Sequence, residues 1–245
     1  MVSTLPGERQ ITFPEERSLG ELYIIDKDGR SEFLCEAKGL VCVPANRSVS
    51  LSYSFDPTFG LAALRTLKGD DLAGLSFLGS DLRDDELLNL SALTGLKELE
   101  LSCTSIGDQG LAHLSSLIGL SKLSLASTKI SDAGLVHLAG MKALQELVLD
   151  DTRISDEGMV HLAALTALTT LSLSFTGVSS KGLAKLRGLS ALERLRLNCT
   201  RIDDQGLSHV QRLASLKELW VRGTDVTYPG LVELTKWLVD CEIIR

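Results

Sequence analysis

Residues 96–119 read LKELELSCTSIGDQGLAHLSSLIG, and the twelve residues at 103–114, CTSIGDQGLAHL, return along the chain. They come back as STKISDAGLVHL (127–138), DTRISDEGMVHL (151–162), FTGVSSKGLAKL (175–186) and CTRIDDQGLSHV (199–210). A catalytic site needs its acid, base or nucleophile once, so a phrase repeated five times reads as construction. Aligning the copies gives a strict 24-residue period without insertions, with units beginning at Leu72, Leu96, Leu120, Leu144, Leu168, Leu192 and Leu216. The consensus is L-x-x-L-x-L-x-x-T-x-I-x-D-x-G-L-x-x-L-x-x-L-x-x.

Each position in the unit has a physical reading. In LKELEL the apolar and polar residues alternate, so Leu99 and Leu101 face one way while Glu98 and Glu100 face the other, as in a short strand with one buried face. Thr104 closes the strand, where its hydroxyl can bond backbone groups freed by the turn. Ile106 points inward. Asp108 reads as the N-cap of a short helix, whose inner stripe is Leu111, Leu114 and Leu117 and whose end is Gly119. Gly110, Gly134, Gly158, Gly182, Gly206 and Gly230 read as close-packing points where a side chain would push neighbouring helices apart. Glu86 breaks that rule in the first unit, as expected if less structure lies against it.

The period and its L-x-x-L-x-L opening resemble the leucine-rich repeat, from Leu72 to the C-terminus. Within that family the T-x-I-x-D-x-G-L segment looks most like the 24-residue bacterial type and the related repeats of F-box proteins, although nothing here matches the F-box itself. The resemblance implies an α/β fold: a leucine-rich-repeat solenoid, a right-handed curved βα horseshoe, here with a small N-terminal β-strand cap.

Solenoids need capped ends. Residues 47–71 read as a degenerate zeroth repeat with two extra residues, its strand at Val49, Leu51 and Tyr53 and its helix started by Asp56-Pro57 as N-cap and N1. Before it, GELYIID, SEFLCEA and LVCVP read as strands separated by turns at Lys27-Asp28-Gly29 and Lys38-Gly39. The predicted organisation is therefore a β cap at 1–46, a capping repeat at 47–71, seven repeats over 72–239 and a closing strand at 240–245. Trp237 falls at a Leu position of the last helix, and Ile243 at a strand Leu position.

Bulk properties exclude several classes. With 25 Lys and Arg against 32 Asp and Glu, the net charge is −7. That argues against nucleic acid and against an anionic membrane surface as partners. No apolar run approaches the ~18 residues of a membrane span, and the N-terminus lacks the apolar core of a signal peptide, so a cytoplasmic, monomeric protein is expected. Of the five Cys, Cys103 and Cys199 sit four repeats apart, about 19 Å at ~4.8 Å per strand, too far for a bridge. Cys35 and Cys42 could face each other across a hairpin turning at Lys38-Gly39. The sequons at Asn46, Asn89 and Asn198 read as coincidence in a Ser- and Thr-rich chain.

No catalytic residues, metal ligands or cofactors are expected. His113, His137, His161 and His209 share one helix position, but neighbouring helices lie ~8–10 Å apart while zinc needs each nitrogen at about 2.0–2.1 Å. The repeated Thr are structural. In Asp84-Asp85, Asp150-Asp151 and Asp203-Asp204 adjacent carboxylates point apart. No Walker loop, GxSxG, HExxH or CxxC occurs.

Recognition residues need not repeat, and outward strand positions stack into columns at ~4.8 Å spacing. The first runs Gly74, Glu98, Lys122, Glu146, Thr170, Arg194, Glu218, and the second Ser76, Glu100, Ser124, Val148, Ser172, Arg196, Trp220. The third runs Leu78, Ser102, Ala126, Asp150, Ser174, Asn198, Arg222, and the fourth Gly79, Cys103, Ser127, Asp151, Phe175, Cys199, Gly223. Acids gather early (Glu98, Glu100, Asp150, Asp151), arginines late (Arg194, Arg196, Arg222), with Phe175 and Trp220 among the latter. An aromatic pair framed by Arg is the composition of binding hot spots. These nine residues form the expected binding face of a non-catalytic scaffold for a protein or peptide. The alternatives are an adaptor whose partner docks on the β cap and a carbohydrate-binding surface protein.

Overall fold

The computed structural model describes residues 7–26 and 28–245. Lys27 of the first expected turn, and the first six residues of the expected cap, lie outside them. From the C-terminal side, β13 (Glu242–Ile244), β12 (Glu218–Trp220), β11 (Arg194–Arg196), β10 (Thr170–Ser172), β9 (Glu146–Val148), β8 (Lys122–Ser124), β7 (Glu98–Glu100), β6 (Gly74–Ser76) and β5 (Ser48–Tyr53) pair in parallel, each with the next. The sheet then continues antiparallel through β2 (Gly20–Ile25) and β3 (Ser31–Glu36), making eleven strands. The fold is a leucine-rich-repeat horseshoe with a small β-strand cap at its N-terminal end.

Every strand of the repeats is three residues long because the alternation lasts only three residues before the chain turns. The middle residue, Leu99, Leu123, Leu147, Leu171, Leu195 or Leu219, is buried, and its two neighbours lie on the opposite, concave face. The return path is a short helical turn: α1 (Asp108–His113), α2 (Met159–Leu162), α3 (Ser180–Leu183), α4 (Asp204–Val210), α5 (Tyr228–Thr235), or a 3₁₀ turn as at Asp84–Leu90 and Gly134–Leu138. Leu111, Leu114 and Leu117 are fully buried, as is Ile106. One continuous apolar core therefore runs between sheet and helices.

The repeated Thr is buried and its hydroxyl donates to the carbonyl three residues back. Thr104, Thr128, Thr152, Thr176 and Thr200 make this bond at 2.6–2.7 Å to Leu101, Leu125, Leu149, Leu173 and Leu197. Thr152→Val keeps the shape and removes the donor, leaving the Leu149 carbonyl without this bond. It is expected to cost about 1–2 kcal/mol of unfolding free energy, read from urea denaturation.

Asp108 does not cap its own helix. The N-cap of α1 is Gly107, one residue earlier, and the caps of α3, α4 and α5 are Ser179, Asp203 and Thr227. Asp108 instead reaches the next repeat, where its oxygens accept from the Ser131 N–H at 2.8 Å and the Ser131 hydroxyl at 2.6 Å. Asp132 holds Ser155 and Asp204 holds Thr227 in the same two-bond way, and Asp156 holds Ser179 while also accepting from the Gly182 N–H. The Gly column is what makes room: a Cβ on Gly134, Gly158, Gly182 or Gly230 would lie 2.1–2.5 Å from the preceding repeat's carboxylate. The space is filled by the preceding unit's helical turn, as close packing requires, but chiefly by the carboxylate at or just before its start, with Leu135 Cδ1 and Met159 Cγ at 2.9 and 3.0 Å from the Cβ positions of Gly158 and Gly182.

Other expectations need correction. Glu86 is not facing empty space: its carboxylate accepts from the Leu61 N–H at 2.9 Å and lies where a Cβ on Gly60 would be. Asp56-Pro57 begins a turn, with Asp56 accepting from the Thr58 N–H, and the 3₁₀ turn of that unit starts at Ala62. Trp237 is 64% exposed, with Leu234 and Leu238 taking the inner positions. No hairpin joins β3 to β4 (Leu40–Pro44). That strand pairs with β1 (Glu8–Thr12), which was not read from the sequence, in a separate two-stranded sheet. Cys35 and Cys42 thus belong to different sheets, and both are free thiols. No helix among the described residues is long and apolar enough to cross a membrane.

Candidate functional site

The parallel register sets the columns of the concave face. Glu98, Lys122, Glu146, Thr170, Arg194, Glu218 and Glu242 pair in sequence, as do Ser76, Glu100, Ser124, Val148, Ser172, Arg196, Trp220 and Ile244. Beyond the strands the ladder continues, with the Phe175 N–H on the Asn198 carbonyl and the Cys199 N–H on the Arg222 carbonyl, both at 2.8 Å. The fourth column then turns sharply. Gly79, Cys103, Ser127, Asp151, Phe175, Cys199 and Gly223 all have φ between +52° and +70°, the left-handed region that L side chains rarely adopt. Only the two end glycines hinted at this in the sequence.

The early acids are largely occupied by the scaffold. Glu98 pairs with Lys122 at 2.9 Å, and that bond is the main cause holding the Lys122 ammonium above its ordinary pKa. Glu100 accepts from the Ser102 N–H at 2.7 Å. Asp150 accepts from the Ser172 hydroxyl at 2.6 Å and the Ser174 N–H at 2.8 Å, and Asp151 from the Ser127 hydroxyl at 3.0 Å. Arg194 donates its Nε–H to the Thr170 hydroxyl at 3.0 Å and reaches Glu146 at 3.9 Å.

The late residues differ. Arg196 and Trp220 are direct register partners, and the Arg196 guanidinium carbon lies 5.2 Å from the Trp220 ring centroid, a cation–π contact. The Phe175 ring is 60% exposed, and the Arg222 side chain is exposed. Neither Arg196 nor Arg222 makes an ion pair among the described residues. Three buried side-chain polar atoms there have no hydrogen-bond partner: Ser174 Oγ, Arg196 Nε and Trp220 Nε1. Ser174 was not singled out from the sequence, since nothing about a serine among serines signals an unmatched hydroxyl.

A second feature was also missed. At the cap end of the same face lies a trough of about 520 Å³ whose floor is cleared by Ser50, Ser52, Gly74, Ser76 and Ser124 and whose end is walled by Tyr23 and Ser31. The small floor residues were visible in the sequence, but a wall supplied by antiparallel strands was not. At the other end Cys241 is pushed up to about 11, first by burial and then by Glu218 and Glu242. The four His sit half-buried on the helical side, away from the concave face. Among the described residues no three His, Cys, Asp or Glu side chains come together as a metal site.

Comparison with known proteins bears on the repeat itself. The family model described as Leucine Rich repeat matches residues 93–115, 141–163 and 164–186. A search of curated proteins returns no match. Among solved structures, internalin C2 from Listeria monocytogenes is similar at 29% identity and a TM-score of 0.64, covering 80% of this chain and 79% of its own. A second internalin of that organism aligns at 20% identity and a TM-score of 0.43, over 75% of this chain and 69% of its own. A 24-residue period, a horseshoe built from it and a family match to three of its units show that this chain is built of leucine-rich repeats.

Proposed function

We propose that the chain is a non-catalytic scaffold that holds a protein or peptide segment on the concave face of its sheet, with Phe175, Arg196, Trp220 and Arg222 as anchors. One observation carries the reading. Elsewhere this chain matches its turn hydroxyls and carboxylates repeat after repeat, yet all three unmatched buried side-chain atoms among the described residues fall on the β10–β12 part of one face. Native structures leave few such atoms, and each costs about 1–3 kcal/mol. An unmatched cluster beside an exposed Phe and a stacked Arg–Trp pair fits a surface completed by a partner.

The test is affinity capture from native lysate with the full chain and with Phe175→Ala/Arg196→Ala/Trp220→Ala, circular dichroism confirming that both baits are folded. A protein held by the wild type and lost by the variant is the expected result. Equal capture by both would remove the concave anchors from the reading and move attention to the cap, whose Tyr23 and Ser31 wall the trough.

A further inference from the structure

We propose that the segment held at this face is acidic, and that it seats a carboxylate against Arg196, Arg222 and Trp220. The inference rests on the concave-face reading and adds the chemistry of the partner. Two of the three unmatched atoms, Arg196 Nε and Trp220 Nε1, are obligate donors, and the third is a hydroxyl able to donate. What the patch lacks is acceptors.

The chain's own acids do not supply them. Asp150 is engaged by Ser172 and Ser174, Asp151 by Ser127, and Glu146 lies within ion-pair range of Arg194. Glu218, the register partner of Arg194, forms no ion pair among the described residues, and no acid pairs with Arg196 or Arg222. Two unneutralised guanidinium groups therefore stand on one face of a chain with net charge −7. An acidic segment is repelled by the rest of the surface and drawn to this patch, which gives direction as well as affinity.

Geometry also favours a carboxylate. The guanidinium carbon lies 5.2 Å from the indole centroid, and Arg196 Nε and Trp220 Nε1 are both buried and unmatched. A carboxylate that lifts the guanidinium edge can accept two parallel N–H bonds from its planar fork. The indole N–H is a single donor pointing along the ring plane and can serve the same anion. Phe175, exposed on β10's side of the pair, then offers an apolar contact for a neighbouring side chain, so the recognised segment combines Asp or Glu with an aromatic or aliphatic residue.

The experiment selects displayed random dodecapeptides on the full chain, on Arg196→Gln/Arg222→Gln and on Phe175→Ala/Trp220→Ala, each checked for an unchanged circular dichroism spectrum. Arg222→Gln alone serves as a second variant because that side chain is exposed. Enriched peptides are expected to carry Asp or Glu. A representative synthetic peptide is expected to lose roughly tenfold or more in affinity when its acids become amides, and similarly on the Arg→Gln protein. In a Trp237→Phe background, Trp220 is the sole indole, and its fluorescence should shift with the acidic peptide and not with the amide one. Neutral or basic peptides that are enriched and lost only on Phe175→Ala/Trp220→Ala would overturn the acidic partner while leaving the concave site standing. Peptides bound equally by all three proteins, or no enrichment, would overturn both.

Discussion

Gly158→Ala is expected to lower stability by about 2–3 kcal/mol, although helix propensity alone points the other way. Gly158 has φ −69° and ψ −22°, an ordinary helical conformation in which alanine normally gains about 0.5–1 kcal/mol over glycine. The added Cβ, however, would lie 2.3 Å from Asp132 Oδ1 and 2.9 Å from Leu135 Cδ1. The carboxylate cannot give way without losing the Ser155 N–H and Ser155 hydroxyl, which it holds at 2.8 and 2.6 Å. Overpacking and the loss of two inter-repeat bonds therefore act together. Gly140→Ala is the control: nothing lies within 4 Å of its Cβ position, and it should change stability by no more than about 0.5 kcal/mol. In a double-mutant cycle, Asp132→Ala with Gly158→Ala should cost at least about 1 kcal/mol less than the sum of the singles. A stabilising Gly158→Ala in chemical denaturation would show that the carboxylate does not occupy that space.

The same pair of residues shows how far the sequence could be read. The period, the short strands, the inward Leu and the structural Thr are legible because one physical requirement is written seven times and the copies check each other. Asp108 was misassigned for a definite reason. An Asp just ahead of an apolar helical stripe carries the same local signal whether it caps its own helix or the next turn, and its true partner, Ser131, is 23 residues away. Gly110 was legible as a close-packing point, but the group it makes room for, the Asp84 carboxylate of the preceding unit, was not, because no local spacing names it. On the concave face, placing Arg196 beside Trp220 followed from the period. The stacking of one on the other and the unmatched Nε and Nε1 depend on rotamers that no spacing encodes. The left-handed column was hidden because five of its seven members are Cys, Ser, Asp and Phe, residues whose identity does not announce positive φ.

Phe175→Gly is expected to move stability and binding in opposite directions. At φ +58° a bulky L residue bears a local cost of roughly 1–2 kcal/mol that glycine escapes, while glycine's extra freedom when unfolded returns about 0.5–1 kcal/mol. The ring is 60% exposed, so little packing is lost, and the net should be a gain of about 0.5–1 kcal/mol. Cys103→Gly, at φ +58° in the same column, should show a comparable gain with no effect on a bound segment. If the concave patch is the site, Phe175→Gly should nevertheless weaken the partner by roughly tenfold or more, as truncation of an aromatic hot spot does. Denaturation of the free protein and calorimetry with the captured partner separate the two terms. A loss of stability would mean that the ring packs as core. A gain in stability with unchanged affinity would mean that the repeat tolerates a strained phenylalanine for some reason other than this contact. A gain paired with weaker binding would place the strain where recognition happens, with glycine at Gly79 and Gly223 marking the strain-free alternative at the same turn.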